Sequence, residues 1–353
     1  MEAWPSIDVA AARRAGAVLL RPGPALSRAE ASRVVGGLRE AAAASVAPVA
    51  AVTGLATPPD AGPMLVVDRR AWLDANVEMA SAMLADAAGP APAPAPGGWR
   101  GRAEAVGNGV QLGGALGALS GRVLGQFLPF GPPRLVLVAP NVAKIERHLG
   151  VVPTDFRLWV CMHEQTHRLQ FAAAPWLRGY LARQLGVLIE TGDERTPWRE
   201  RRAPASLIDV ITTPAQRVVF DRLTGAMSLL EGYADVMMDL VGPEVVPSVA
   251  TIRQRFDAQR QRTGWRRLVN RLLGMDLKLA QYRDGAAFCR AVIDRVGVAG
   301  LNAVYESSGM LPSLDEIHHP ETWLDRAHPR PAAHIVDCVA RPEGGDNQWP
   351  DSR

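Results

Sequence analysis

The run Met162-His163-Glu164-Gln165-Thr166-His167-Arg168 constrains this chain more than any other part of it. It lies inside a stretch from Asp155 to Ala174 that reads as a helix, with Thr154 placed to cap the start, Asp155 in the first turn and Pro175 just past the end. On a helix, side chains four positions apart share a face at about 6 Å, so His163 and His167 can offer two imidazole nitrogens to one ion. Glu164 then stands beside that ion without ligating it, where a carboxylate can serve as general base.

A catalytic zinc keeps three protein ligands and one open position, so a third ligand has to come from elsewhere. Glu231 is the candidate. It lies in Ser228-Leu229-Leu230-Glu231-Gly232-Tyr233-Ala234-Asp235, an otherwise apolar stretch where a carboxylate needs a reason. Asp235 follows one helical turn later, placed to accept a hydrogen bond from the second nitrogen of His163 and fix that ring. The expected site is therefore one Zn2+ held by His163, His167 and Glu231, with Glu164 as the catalytic base and Asp235 behind the ligands.

The chain around this site reads as mainly helical. Ser27 to Ala44 and Arg70 to Ala85 are amphipathic, and Gly107 to Phe127 is rich in glycine, alanine and leucine, which suits a tightly packed helix or helix pair. The clearest strand is Arg134 to Ala139, a β-branched run between Pro132-Pro133 and Pro140, after which Asn141 can cap a short helix ending near Gly150. Thr213-Pro214-Ala215-Gln216 opens the helix that carries Glu231 to about Leu240. The chain looks helical again from beyond Gly242 to about Gly309, and a polar, proline-marked tail follows from Leu311. The expected class is mainly α, of the α+β type, with a small β-sheet. The expected organisation is a helical region over 1–88, a Pro/Ala-rich loop over 89–98, a metallohydrolase core over 99–330 and a tail over 331–353.

Bulk properties exclude several function classes. With 48% hydrophobic and 21% charged residues the chain is an ordinary globular protein. A formal charge of +3, with Lys144 and Lys278 as the only lysines, does not describe a nucleic-acid binder. Cys161, Cys289 and Cys338 form no C-x-x-C pair, which fits a reducing cytoplasm, and Met1 to Leu20 lacks the pattern of a secretory leader. Arg102, Glu104, Asn108, Gln111 and Arg122 interrupt the best candidate for a membrane span. Gly107-Asn108-Gly109-Val110-Gln111-Leu112 fails the dinucleotide fingerprint, since Leu112 replaces its third glycine. The arginines from Arg253 to Arg271 read as a solvated face, His318-His319 as surface residues, Tyr233 and Tyr282 as packing residues, and Cys161 as a core thiol.

These residues also carry a resemblance. The motif helix with Phe156-Arg157-Leu158-Trp159-Val160, Gln170-Phe171 and Pro175-Trp176-Leu177, the upstream Val123-Leu124-Gly125-Gln126-Phe127, the strand into Pro140-Asn141 and the downstream Leu277 to Arg283 resemble the actinobacterial zincin-like metallopeptidases of type 2. The likeness spans roughly 60–330, and within the family is nearest to the branch associated with biosynthesis of the deazaflavin coenzyme, whose members are described as hydrolases without an assigned substrate. It implies a zincin-like fold and the metal site. The leading expectation is a peptidase or amidase acting on a peptide or amide substrate laid along an edge strand, Leu135 to Ala139. The other is a non-catalytic zinc-stabilised accessory or binding protein.

Overall fold

The structure is a computed structural model that describes residues 6–56, 58, 62–89, 98–190, 214–262 and 281–329. In chain order its first half contains α1 (Val9–Val18), α2 (Arg28–Ala44), α3 (Val46–Thr53), β1 (Met64–Val67), α4 (Arg69–Ala88), α5 (Gly98–Leu119), β2 (Gly125–Leu128), β3 (Arg134–Val138) and α6 (Ala139–Leu149). Its second half contains α7 (Pro153–Ala173), α8 (Trp176–Glu190), α9 (Pro214–Val241), α10 (Val249–Arg262), α11 (Gln281–Leu301), α12 (Leu314–His318) and α13 (Pro320–Ala327). The expected helices over 27–44 and 70–85 are α2, with Ser27 as its N-cap, and α4, and the class is mainly helical with one small sheet. Thr213, most of the Pro/Ala-rich loop, the tail over 331–353 and the stretch over 263–280 lie outside the described residues.

The sheet has the order β1-β3-β2, with β1 parallel and β2 antiparallel to β3. β3 is apolar at consecutive positions because it is covered on both faces. Leu135 and Leu137 point into a core shared with Leu38 of α2 and with Phe156, Val160 and Met162 of α7. Val136 and Val138 point the other way, onto Trp72, Leu73 and Val77 of α4 and Ala12 of α1. The expected edge strand is thus the central one. A short apolar run bounded by prolines cannot distinguish the two, and among the described residues the edge strands are β1 and β2.

Several local expectations change for tertiary reasons. Gly107 to Phe127 is not a helix pair, because α5 ends at Leu119 and Gly125–Leu128 is strand. The small residues are used at a crossing all the same: a Cβ on Gly113 would collide with the backbone of Ala12, so α5 meets α1 backbone to backbone. Residues 1–88 are not wholly helical either, since Met64–Val67 joins the sheet. Asn141 is no cap. The helix begins two residues earlier, and the buried Asn141 amide accepts from Arg69 Nε at 2.7 Å while donating to the carbonyls of Ser120 and Val123 at 2.7 and 2.6 Å. Thr154 likewise lies inside α7, which starts at Pro153 with Val152 before it, and the Asp155 carboxylate accepts from Ser248 N and Oγ at the start of α10. The tail expected from Leu311 contains α12 and α13, and Trp323 of α13 is fully buried against Phe288.

Among the described residues the segment that could cross a membrane by length and composition is Arg28–Thr53, with mean hydropathy 1.2, rather than the stretch interrupted by Arg102 to Arg122. Here it is two helices broken at Ser45, and its Val34, Leu38, Ala42 and Val49 are committed to the core.

The third core cluster holds the helix that carries Glu231. Leu229, Leu230, Tyr233 and Met237 of α9 pack on Phe288 and Val292 of α11, on Tyr305 and on Trp323. The two helices can close up because Gly232 of α9 lies against the Gly285 backbone while Gly285 of α11 lies against that of Ser228. A Cβ on Gly232 would fall onto the Gly285 carbonyl and the Ala286 amide. Glu231 is therefore fixed in space by its neighbour. Gly232→Ala is expected to destabilise the fold by about 1–3 kcal/mol through forced separation of α9 and α11. Gly114→Ala, where nothing lies within 4 Å, should stabilise helix α5 by roughly 0.5–1 kcal/mol. Denaturant midpoints of the two variants beside the unchanged chain measure both.

Candidate metal centre

Helix α7 presents His163 and His167 one turn apart on the face turned toward α9, their rings edge to face with centroids 4.7 Å apart. Their Nε2 atoms are 3.1 Å from each other. Glu231 reaches across from α9, placing one carboxylate oxygen 3.5 Å from His163 Nε2 and the other 3.7 Å from His167 Nε2. The three residues form a group whose donor atoms all lie within 4.8 Å of one another. Bonds of about 2.0–2.2 Å arranged tetrahedrally around zinc require donors roughly 3.3–3.6 Å apart, so this triangle has the size that an ion demands. The side chains of His163, His167 and Glu231 are 21%, 14% and 32% exposed, so none of the three is sealed in the core.

The charge distribution favours a cation. Burial alone would depress His163, yet the hydrogen bond and charge of Glu231, with Glu164 and Asp235 behind, carry its proton affinity up to about 9. A site that draws a proton this strongly draws a metal ion by the same field.

Glu164 lies against β2 and is only 7% exposed. Its carboxylate accepts a hydrogen bond from the backbone N–H of Phe127 in β2. Burial raises its proton affinity, and the two histidines oppose that rise. The strand can come this close because residue 125 is glycine: a Cβ there would lie 2.6 Å from Glu164 Cγ. β2 is thus the sheet edge beside the motif helix, a role that the sequence reading gave to β3.

Asp235 stands one turn beyond Glu231, but the contact at His163 Nδ1 is with the Met238 sulfur, at 3.3 Å. The Asp235 carboxylate lies 3.9 Å from the guanidinium of Arg253, which also donates to the Asp235 carbonyl at 2.6 Å. Its negative charge still bears on His163 from a distance. Arg253 came from a neighbouring helix, and nothing local to the E-x-x-x-D spacing announced it.

Sequence reasoning also missed the residues behind His167. Gln170 Oε1 lies 2.9 Å from His167 Nδ1, and Gln170 Nε2 lies 3.0 Å both from the Leu230 carbonyl and from the Tyr305 hydroxyl. Gln170 was legible in principle, since three positions after His167 is the same helical face. Tyr305, in a 3₁₀ turn far along the chain, carried no signal.

The remaining candidates have other partners. Tyr233 is buried and donates to Asn302 Oδ1 at 2.8 Å, and buried Cys161 has its sulfur 4.0 Å from the Leu38 carbonyl. His318 pairs with Asp284 at 3.1 Å and His319 with Asp315 at 3.3 Å, both at the surface. Arg253 is engaged by Asp235 and Asp239, and Arg255 donates to the carbonyls of Leu149 and Gly150. Gly107 to Leu112 lies within α5, where a helix leaves no loop to cradle a phosphate.

Known proteins bear on this arrangement in two ways. A provisionally assigned hydrolase with a novel fold from Chloroflexus aurantiacus superimposes on the chain with a TM-score of 0.68 and 35% identity, over 92% of this chain and 100% of that one. No curated protein matches significantly. Residues 7–324, which span the sheet, both histidines of α7 and Glu231 of α9, match the family described as zincin-like metallopeptidase, and the chain belongs to that family.

Proposed function

We propose that this chain is a zinc-dependent hydrolase of peptide or amide bonds, with His163, His167 and Glu231 as the metal ligands and Glu164 as the general base. The observation that carries this reading is the triangle of donors of ion-binding size with a buried carboxylate on the adjacent residue of the same helix. A zinc ion held there would supply Lewis acidity to a carbonyl and lower the pKa of water.

The chain's own groups do the rest. Burial keeps the Glu164 carboxylate hungry for a proton, so it can take one from the attacking water and deliver it to the leaving nitrogen. The Phe127 N–H fixes where that carboxylate sits. The substrate main chain would lie along β2, the edge strand beside Glu164. Asp235 would act through its charge on His163 rather than by contact. The residue runs around Gln126, Gln170 and Trp176 support a finer placement in the type 2 actinobacterial branch linked to deazaflavin coenzyme biosynthesis, and the two buried free thiols, Cys161 and Cys289, support a cytoplasmic setting.

A non-catalytic zinc-stabilised accessory or binding role is favoured by one observation: Glu164 is only 7% exposed, which limits the approach of a substrate to it. Two experiments decide. Elemental analysis should find about one zinc per chain, and His163→Ala and Glu231→Ala, still folded, should lose it to a chelator that leaves the unchanged protein loaded. Full retention by either variant removes that residue from the ligand set. Glu164→Gln should keep its zinc and fold while turnover of a mixed peptide library, read as new amino termini by mass spectrometry, falls at least about a hundredfold. Equal cleavage by both proteins rejects Glu164 as the base, and no cleavage by the zinc-loaded chain supports the non-catalytic role.

A further inference from the structure

We infer that Gln170 sets the tautomer of His167 and thereby prepares its Nε2 as a cation ligand, which makes Gln170 a positioning residue of the site. The argument starts from an atom that has only one role. The carbonyl of Leu230 can accept a hydrogen bond and cannot donate one, and it lies 3.0 Å from the nitrogen end of the Gln170 amide. That end must therefore carry the NH2 group. The oxygen end is then the one 2.9 Å from His167 Nδ1, and an amide oxygen can only accept. His167 must hold its proton on Nδ1. In the neutral ring Nε2 then keeps its lone pair, facing His163 Nε2 at 3.1 Å and the Glu231 carboxylate at 3.7 Å.

Gln170 has no exposed surface, so water does not compete for either end of the amide. A flipped amide would set two oxygens against each other at Leu230 and lose both good contacts in a dry site. The buried Tyr305 hydroxyl lies 3.0 Å from the same end and can accept from the NH2 group, which is compatible with the orientation that the Leu230 carbonyl sets. Leu230 is also the residue before Glu231, so one amide ties the tautomer of a ligand on α7 to the backbone of the helix that brings the ligand on α9.

His163 is prepared differently. Its Nδ1 meets the Met238 sulfur at 3.3 Å, a weak acceptor that imposes little on the ring. The loss of Gln170 should therefore be felt at His167.

This inference rests on the reading of the triangle as a metal site, but half of its test does not. In the metal-free full chain labelled with 15N-histidine, long-range proton–nitrogen NMR should find His167 protonated on Nδ1. Gln170→Met keeps the shape and removes the amide. In that variant the proton should redistribute toward Nε2, and the dissociation constant for Co2+ should rise about 10-fold to 100-fold. A tether between helices and nothing more would lower the melting temperature of Gln170→Met with the tautomer unmoved. The inference is overturned if unchanged His167 carries its proton on Nε2, or if Gln170→Met keeps both the tautomer and the Co2+ affinity. If the unchanged chain takes up no Co2+, the metal reading fails by itself, and the NMR measurement still decides the role of Gln170.

Discussion

The site exists because α7 and α9 are held at one separation, and that separation is set on the far side of each helix. α9 is pressed onto α11 through Gly232 and Gly285, where no side chain keeps the backbones apart. α7 is pressed onto the sheet and α2 by Phe156, Val160, Met162 and Leu169, all of them buried. Burying side chains of this size contributes about 1.5–3 kcal/mol each, far more than the polar contacts of the site can supply. The polar residues are guests in a frame built by apolar packing, so His163, His167 and Glu231 meet at the seam between two core clusters.

The same frame explains why Glu164 and its neighbours on α7 have different surroundings. Adjacent residues on a helix point about 100° apart, so His163 faces α9 while Glu164 faces β2. The sheet edge can serve Glu164 because Gly125 removes the obstacle and the Phe127 N–H donates to the carboxylate. In the register of β2 with β3, Gln126 lies opposite Val136, and its neighbours Gly125 and Phe127 flank the pair along the strand that lines α7. One strand of four residues therefore ends the sheet and positions a carboxylate.

Charge is managed differently at the site and away from it. Glu146 and Arg157 form a buried pair with two hydrogen bonds of 2.9 and 2.7 Å, each charge answered by the other. Buried Arg69 is answered by the Asn141 amide oxygen and by the carbonyls of Arg21 and Pro22. At the candidate centre, Glu231 faces two imidazoles with Glu164 nearby, and their joint field raises the proton affinity of His163. Among the described residues this is the one group of three histidine, cysteine or carboxylate side chains with the size of a metal site.

The sequence by itself determined the chemistry on each helix. Spacing of four on an apolar helix put His163 and His167 on one face, and a carboxylate inside the apolar stretch at Leu230 marked Glu231, because helical periodicity is a local property that needs no partner. Tertiary structure decided everything that depends on what lies opposite. It made Leu135 to Val138 the central strand instead of the edge, turned Asn141 from a cap into a buried clamp, and drew Asp235 toward Arg253. It also gave His167 the Gln170 amide and Glu164 the Phe127 N–H. A side chain's type and spacing are written in its own segment, but the partner of its second nitrogen or its carboxylate comes from a segment brought near only by packing.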